Sequence, residues 1–225
     1  MSGGSLLRVP ERTQAPRRIR GLDAAQRRQQ RREALLDAAL DLFAAQGYVA
    51  TTIEQLCQRA YVGTKAFYEA FDSRDALYSA LLERVAGTAL GEVAEAAAPV
   101  EGQDDDETVV SERIVTTLAH RFADDVRWAK VTFGHGSAVT PAAEVQRRTN
   151  RRAAAAFVEE VWVRFRGHPT SASEHAVAIG LIGGLFDIIA DWVLDLEGEE
   201  STPEEIEELT TRLLTFYRTV RAGLT

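Results

Sequence analysis

Apolar residues in this chain recur at the spacing of a helix and almost nowhere at the spacing of a strand. Leu36, Ala39, Leu40 and Phe43 fall at i, i+3, i+4 and i+7, and Ile53, Leu56, Cys57 and Ala60 repeat the same offsets. Start signals sit in front of several such runs. Thr51-x-x-Glu54, Ser171-x-x-Glu174 and Thr202-x-x-Glu205 each read as a capping box, the last with Pro203 at the first helical position. Gly47 is a stop for the first helix, because a glycine past the last apolar repeat accommodates left-handed backbone. No convincing period-two run is present. The expected fold is all-α, with about nine helices and no internal repeat.

The expected boundaries follow from the same signals. A helix ending at Gly47 is followed by one opening at Thr51, a bend over residues 60–63, and a short helix over residues 64–70. Asp72-Ser73 caps a long fourth helix with Leu77, Leu81 and Val85 on one side. Pro99 and "EGQDDDE" mark a loop. Further helices are expected over residues 108–124, 128–133, 142–166, 172–197 and 203–222, with "GHGSAVTP" and "GHP" as connections. As domains, residues 1–26 form a basic arm expected to be disordered, residues 27–75 a small helical unit, and residues 76–225 a larger helical body.

The chain has 225 residues and a formal net charge of -8, but its charge is unevenly placed. Residues 1–72 hold 11 Lys/Arg against 8 Asp/Glu, whereas the remainder holds 15 against 26. Nine arginines precede residue 33 and meet only Glu11 and Asp23. Such an arm attracts polyanions by its local field, while an acidic body keeps phosphate off the rest of the surface. The apolar run over residues 176–196 is interrupted by Asp187, Asp191 and Asp195, a poor membrane span. No secretory h-region is visible, and the single cysteine, Cys57, permits neither an internal disulfide nor a cysteine metal cluster. A cytoplasmic protein without cofactor or metal is expected. An enzyme is not: the chain lacks a phosphate-binding loop, a nucleophile elbow and a His-Glu-x-x-His pair.

Two short helices joined by a three- or four-residue bend have the spacing of a helix-turn-helix, and equally that of an ordinary helical hairpin. Ile53, Leu56, Val62, Phe67 and Phe71 would lock the pair onto the first helix, leaving Thr64, Lys65 and Tyr68 on the outer face. Periodicity leaves both readings open. The runs "ALLDAALDLFAAQGYVATTIEQL" and "FYEAFDSRDALYSALL", within residues 31–82, resemble the N-terminal domain of TetR-family transcriptional regulators. At the bend the family usually has Ala-Gly-Val-Ser, and this chain has Ala60-Tyr61-Val62-Gly63. A tyrosine at positive φ there costs on the order of 1 kcal/mol.

The resemblance implies a ligand-responsive DNA-binding regulator, more often a repressor, released from a near-palindromic operator by a small-molecule effector. It implies that Thr52, Tyr68 and Arg74 hold phosphates, and that Thr64, Lys65 and Ala66 face base edges. Arg17, Arg18 and Arg20 lie where an arm reaches an adjacent minor groove. So short a reading helix needs a second copy, and a homodimer is expected through Ile182, Phe186, Ile189, Val193, Leu209, Leu213 and Phe216. Phe122, Trp128, Phe133, His135, Phe157 and Trp162 are the candidate effector contacts, although aromatics at helical spacing also serve as plain core. The competing reading is a helical adaptor or small-molecule-binding protein without specific DNA binding.

Overall fold

The computed structural model describes residues 23–102, 105–134, 137, 140–196, 198 and 200–223. Nine helices and no strand occur among them: α1 Ala24–Ala50, α2 Ile53–Arg59, α3 Thr64–Ala70, α4 Arg74–Ala96, α5 Glu107–Ala123, α6 Val126–Thr132, α7 Pro141–Arg166, α8 Ala172–Asp195 and α9 Pro203–Ala222. The all-α expectation holds. Helix α1 starts at Ala24, inside the residues assigned to the arm, because Asp23 and Gln26 cap it reciprocally. Near its other end Gly47 breaks the helical path at φ 81°.

One expected cap moves by a residue. Thr52, not Thr51, opens α2: its hydroxyl accepts from the Gln55 amide at 3.2 Å, and the Gln55 side chain accepts from the Thr52 amide at 2.8 Å. Thr51 is instead buried, its hydroxyl donating to the Gly47 carbonyl at 2.8 Å. That bond satisfies a carbonyl left open where α1 breaks. The boxes at Ser171/Glu174 and Thr202/Glu205 form as expected.

Helices α1 to α3 close around Leu35, Leu36, Phe43, Leu56 and Phe67, and this core runs on without interruption into the body. Tyr78, on α4, is the bridge. Its ring lies 5.5 Å from Phe43 and 5.3 Å from Tyr48, while its hydroxyl donates to the Val131 carbonyl on α6. In the body, α4, α5, α7, α8 and α9 pack side by side. Helix α8 is long and apolar enough to cross a membrane by length and composition, but Leu181, Leu185, Ile189 and Trp192 are buried against its neighbours.

The residues expected to meet a second copy are mostly inside the chain itself. Ile182, Ile189, Val193, Leu209 and Leu213 are buried in the chain's own core, and only Phe186 and Phe216 are half-buried. A stripe at spacing 3 and 4 identifies a packed face without saying what packs on it, and here α8 and α9 pack on their own chain. Phe216 fits over Gly184, where a Cβ would stand 2.3 Å from the ring. The apolar residues and glycine that α8 leaves outward are Ala172, Ala176, Ile179, Gly180 and Leu194.

At one end of the body a largely covered carboxylate ties three helices. Glu107, at the start of α5, accepts from Arg221 on α9 at 2.8 Å and lies 3.6 Å from Arg166 on α7. Arg166 also donates to Glu174 on α8 at 2.5 Å. Removing one partner from a buried ion pair leaves the others uncompensated. Glu107→Ala is expected to lower unfolding free energy by about 3 kcal/mol in urea denaturation, whereas the same change at exposed Glu208 is expected to have an effect within about 0.5 kcal/mol.

Candidate nucleic-acid interface and effector cavity

The bend between α2 and α3 is a Schellman closure with an unusual residue at its left-handed position. Tyr61 takes φ 54°, its amide donates to Gln58 at 3.2 Å, and the Val62 amide reaches back to Cys57 at 3.0 Å. Val62 turns in to the core, while the Tyr61 side chain is 92% exposed. Gly63 then enters α3 at φ -79° without a side-chain cap, and a Cβ there would touch nothing. The glycine-type position of this turn is thus held by a tyrosine, and the glycine beside it has no geometric need to be one.

Helix α3 is anchored on one side and open on the other. Phe67 is fully buried, Phe71 nearly so, and Arg32 from α1 donates to the Ala70 carbonyl at 3.1 Å while lying 4.3 Å over the Phe71 ring. Thr64 is exposed, the Lys65 side chain is 92% exposed, and Tyr68 is more than half exposed. Ala66 is half-buried. Lys65 has only a loose i,i+4 pairing with Glu69, at 3.9 Å. Thr52 is exposed, its hydroxyl already engaged as the α2 cap. Arg74 turns inward: its guanidinium lies 4.2 Å over the Tyr48 ring and donates to the Thr51 carbonyl. Arg17, Arg18 and Arg20 lie outside the described residues.

A charge knot fastens this head to the body. Asp41 on α1 accepts from Arg127 on α6 at 2.6 Å and from Arg59 on α2. Arg127 also pairs with Asp125 at 2.7 Å. Burial works against the Asp125 carboxylate, but the Arg127 hydrogen bond and charge outweigh it and hold its pKa below the ordinary aspartate value. The Asp125 hydrogen bond, partly opposed by burial, raises that of Arg127.

Within the body a cavity of about 380 Å³ lies between α4, α5, α7 and α8. Most of its wall is aliphatic and aromatic. Four expected contacts, Phe122, Phe133, Phe157 and Trp162, line it. Trp128 does not: it packs half-buried beside the core with the Arg121 guanidinium 3.9 Å over its ring. His135 lies outside the described residues. Charged Glu83, Arg151 and Asp187 are exposed, whereas Gln146, Arg147 and Asn150 lie further in. Arg147 donates to the Tyr78 hydroxyl at 3.0 Å and to Glu144 at 2.7 Å; Asn150 donates to the Leu82 carbonyl at 3.1 Å. Sequence reasoning missed Arg147, Asn150, Ser111 and Tyr217. Tyr217 follows Leu209 and Leu213 at i+4 steps, so its position on the buried face was readable. That it would line a cavity was not.

Comparison with known proteins fits this arrangement. Residues 35–81 match the family model described as bacterial regulatory proteins, tetR family. No curated protein matches the chain. Among solved structures, a TetR-family transcriptional regulator from Syntrophomonas wolfei is 17% identical with a TM-score of 0.67, over 88% of this chain and 97% of that one. The fatty acid degradation regulator FadR of Bacillus halodurans is 15% identical with a TM-score of 0.65, over 82% and 94%. FadR of Bacillus subtilis, solved in complex with stearoyl-CoA, is 14% identical with a TM-score of 0.65, over 81% and 95%.

Two measurements check this geometry. Tyr61→Asn is expected to raise unfolding free energy by about 1 kcal/mol, since asparagine tolerates left-handed backbone better and the exposed ring gives up little packing. The depressed Asp125 pKa makes its contribution complete above the unfolded aspartate value, about 4, and lost as pH falls through the lower folded value. Stability by urea midpoint is therefore expected to drop less between pH 6 and pH 3 in Asp125→Asn than in the parent.

Proposed function

We propose, from the match of residues 35–81 to the tetR family model, that the chain is a TetR-family transcriptional regulator, and from that premise that it is a cytoplasmic, dimeric, effector-released repressor. One observation carries the reading: α3 is locked onto α1 by Phe67 and Phe71 with the Lys65 side chain exposed at its leading edge and only loosely paired with Glu69. A short helix held in this way enters a major groove by its N-terminal residues. Thr64 and Lys65 are assigned base edges, with Ala66 at the margin of that face. Thr52 and Tyr68 are assigned phosphates. Arg74, engaged with Tyr48 and Thr51, acts by placing the start of α2 rather than by reaching out.

Each head reads few base pairs, so two heads on a near-palindromic operator supply the selectivity. Pairing through the outward side of α8, around Ile179 and Gly180, fits the apolar and small residues left uncovered there. The cavity is assigned the effector. FadR of Bacillus subtilis holds stearoyl-CoA on a similar fold, and the apolar wall here likewise suits a lipophilic molecule.

Arg147 supports a route from cavity to head. It lines the cavity and binds Tyr78, which contacts Phe43 and Tyr48 on α1. An effector that fits better when α4 and α7 have shifted draws the heads away from operator spacing, through its differential affinity for that state.

Fluorescence anisotropy with DNA flanking the chain's own gene tests the reading. A specific site bound far more tightly than random duplex is expected, with Lys65→Ala weakening the specific site about tenfold or more and random DNA much less. Equal, salt-labile retention on both duplexes would favour the adaptor reading.

A further inference from the structure

We infer, resting on the reading of α3 as the duplex-reading helix, that the cleft between the start of α1 and α3 holds a backbone phosphate of the same duplex. Arg28 and Arg31 grip that phosphate, which displaces the Glu69 carboxylate as it enters. The cleft measures about 250 Å³, ample for a phosphate group. Arg28, Arg31 and Arg32 line it from α1, and Ala66, Glu69 and Ala70 line it from α3. Three guanidinium groups thus share the cleft with a single carboxylate.

Two of the three are available. Arg32 is committed inward: it donates to the Ala70 carbonyl at 3.1 Å and lies 4.3 Å over the Phe71 ring. Arg28 is exposed, and among the described residues it has no hydrogen bond or ion pair. Arg31 meets Glu69 at 3.8 Å, and Lys65 meets the same carboxylate at 3.9 Å. Both separations exceed hydrogen-bond reach, and all three side chains are open enough for water and salt to screen the attraction. A DNA phosphate offers oxygens that accept charge-assisted bonds from two arginines at once. The exchange favours the phosphate.

The position suits the backbone of a duplex. A helix with its side chains is about 10–12 Å across and the major groove about 12 Å wide, so whatever packs beside a groove-filling helix stands against the phosphate walls. Helix α1 packs beside α3 through Arg32 and Phe71, and Arg28 lies one turn earlier on the same face of α1. Glu69 then has a role of its own. Its charge sits one turn from Lys65 on the helix that approaches DNA, where it opposes every duplex alike. A phosphate contact carries no sequence information, so the exchange sets overall affinity and salt dependence and leaves base preference to Thr64 and Lys65.

Fluorescence anisotropy of the full chain across a salt series tests the inference, on a duplex from the DNA flanking its own gene and on a random duplex of equal length. The double variant Arg28→Gln/Arg31→Gln is expected to bind both duplexes about tenfold more weakly, with the slope of log affinity against log salt shallower by about 1. It is expected to melt with the parent, since neither arginine makes a close bond within the chain. Glu69→Gln is expected to strengthen both duplexes about threefold, and Arg31→Lys to keep the parent slope. Neutral methylphosphonates placed singly along the gene-flanking duplex locate the contact. One position is expected to weaken the parent about fivefold and to leave the double variant unchanged.

An unchanged slope in the double variant would overturn the inference. So would weaker binding by Glu69→Gln, which would make its pairs a brace for α3 instead of a competitor of phosphate. A loss confined to the gene-flanking duplex would overturn it as well, because a backbone contact serves both. Failure of the reading beneath it shows in the parent, which would then bind the two duplexes equally at every salt concentration; the inference falls with it.

Discussion

Seven residues cannot hold themselves as a helix in water, so everything α3 does rests on the burial of Phe67. The segment has no side-chain cap at its start and no basic residue in its last turn. Its free carbonyl at Ala70 is met by Arg32 from α1, and its only fully buried side chain is inserted among Leu35, Leu36, Phe43 and Leu56. The outer face owes its freedom to this arrangement. Because the inner face supplies the stability, Thr64, Lys65 and Tyr68 stay exposed, with Lys65 held only loosely by Glu69 and the Tyr68 ring leaning on Phe67.

The same economy governs the junction between head and body. A linker would have let the two parts tumble independently, but α4 begins at the head and runs into the body as one helix. Tyr78 sits where the two meet and touches both: the α1 aromatics on one side, the Val131 carbonyl and Arg147 on the other. Asp41, shared between Arg59 and Arg127, adds a second attachment at a different point on α1. Two attachments fix an orientation where one would leave a swivel.

Much of this was readable beforehand, and the places where reading failed have physical reasons. The caps at Ser171 and Thr202 were legible because each has one hydroxyl and one glutamate at the right offset. At α2 two threonines stood side by side, with Glu54 and Gln55 both within reach, and only the open carbonyl at Gly47 decides which threonine goes inside. The apolar stripes of α8 and α9 were legible as packed faces, but Leu209 or Ile189 looks the same in sequence whether its neighbour belongs to its own chain or another. Tyr61 was readable as an oddity at the bend, and the backbone at φ 54° bears that out. Cavity residues were the least legible, since Ser111, Arg147 and Tyr217 come together from three helices far apart in the chain.

Gly184 has a consequence that reaches beyond its own contact. The Phe216 ring lies where a methyl would project, so the separation of α8 and α9 is set by the absence of a side chain at one position. The neighbour of Phe216 along α9 is Tyr217, and the neighbours of Gly184 along α8 are Gly183 and Leu185, all three of which line the cavity. A related chain with alanine at this position would have to swing that ring or shift α9, and either adjustment would resize the chamber without changing a single wall residue. The dimensions of the hollow can thus drift through a position that does not border it.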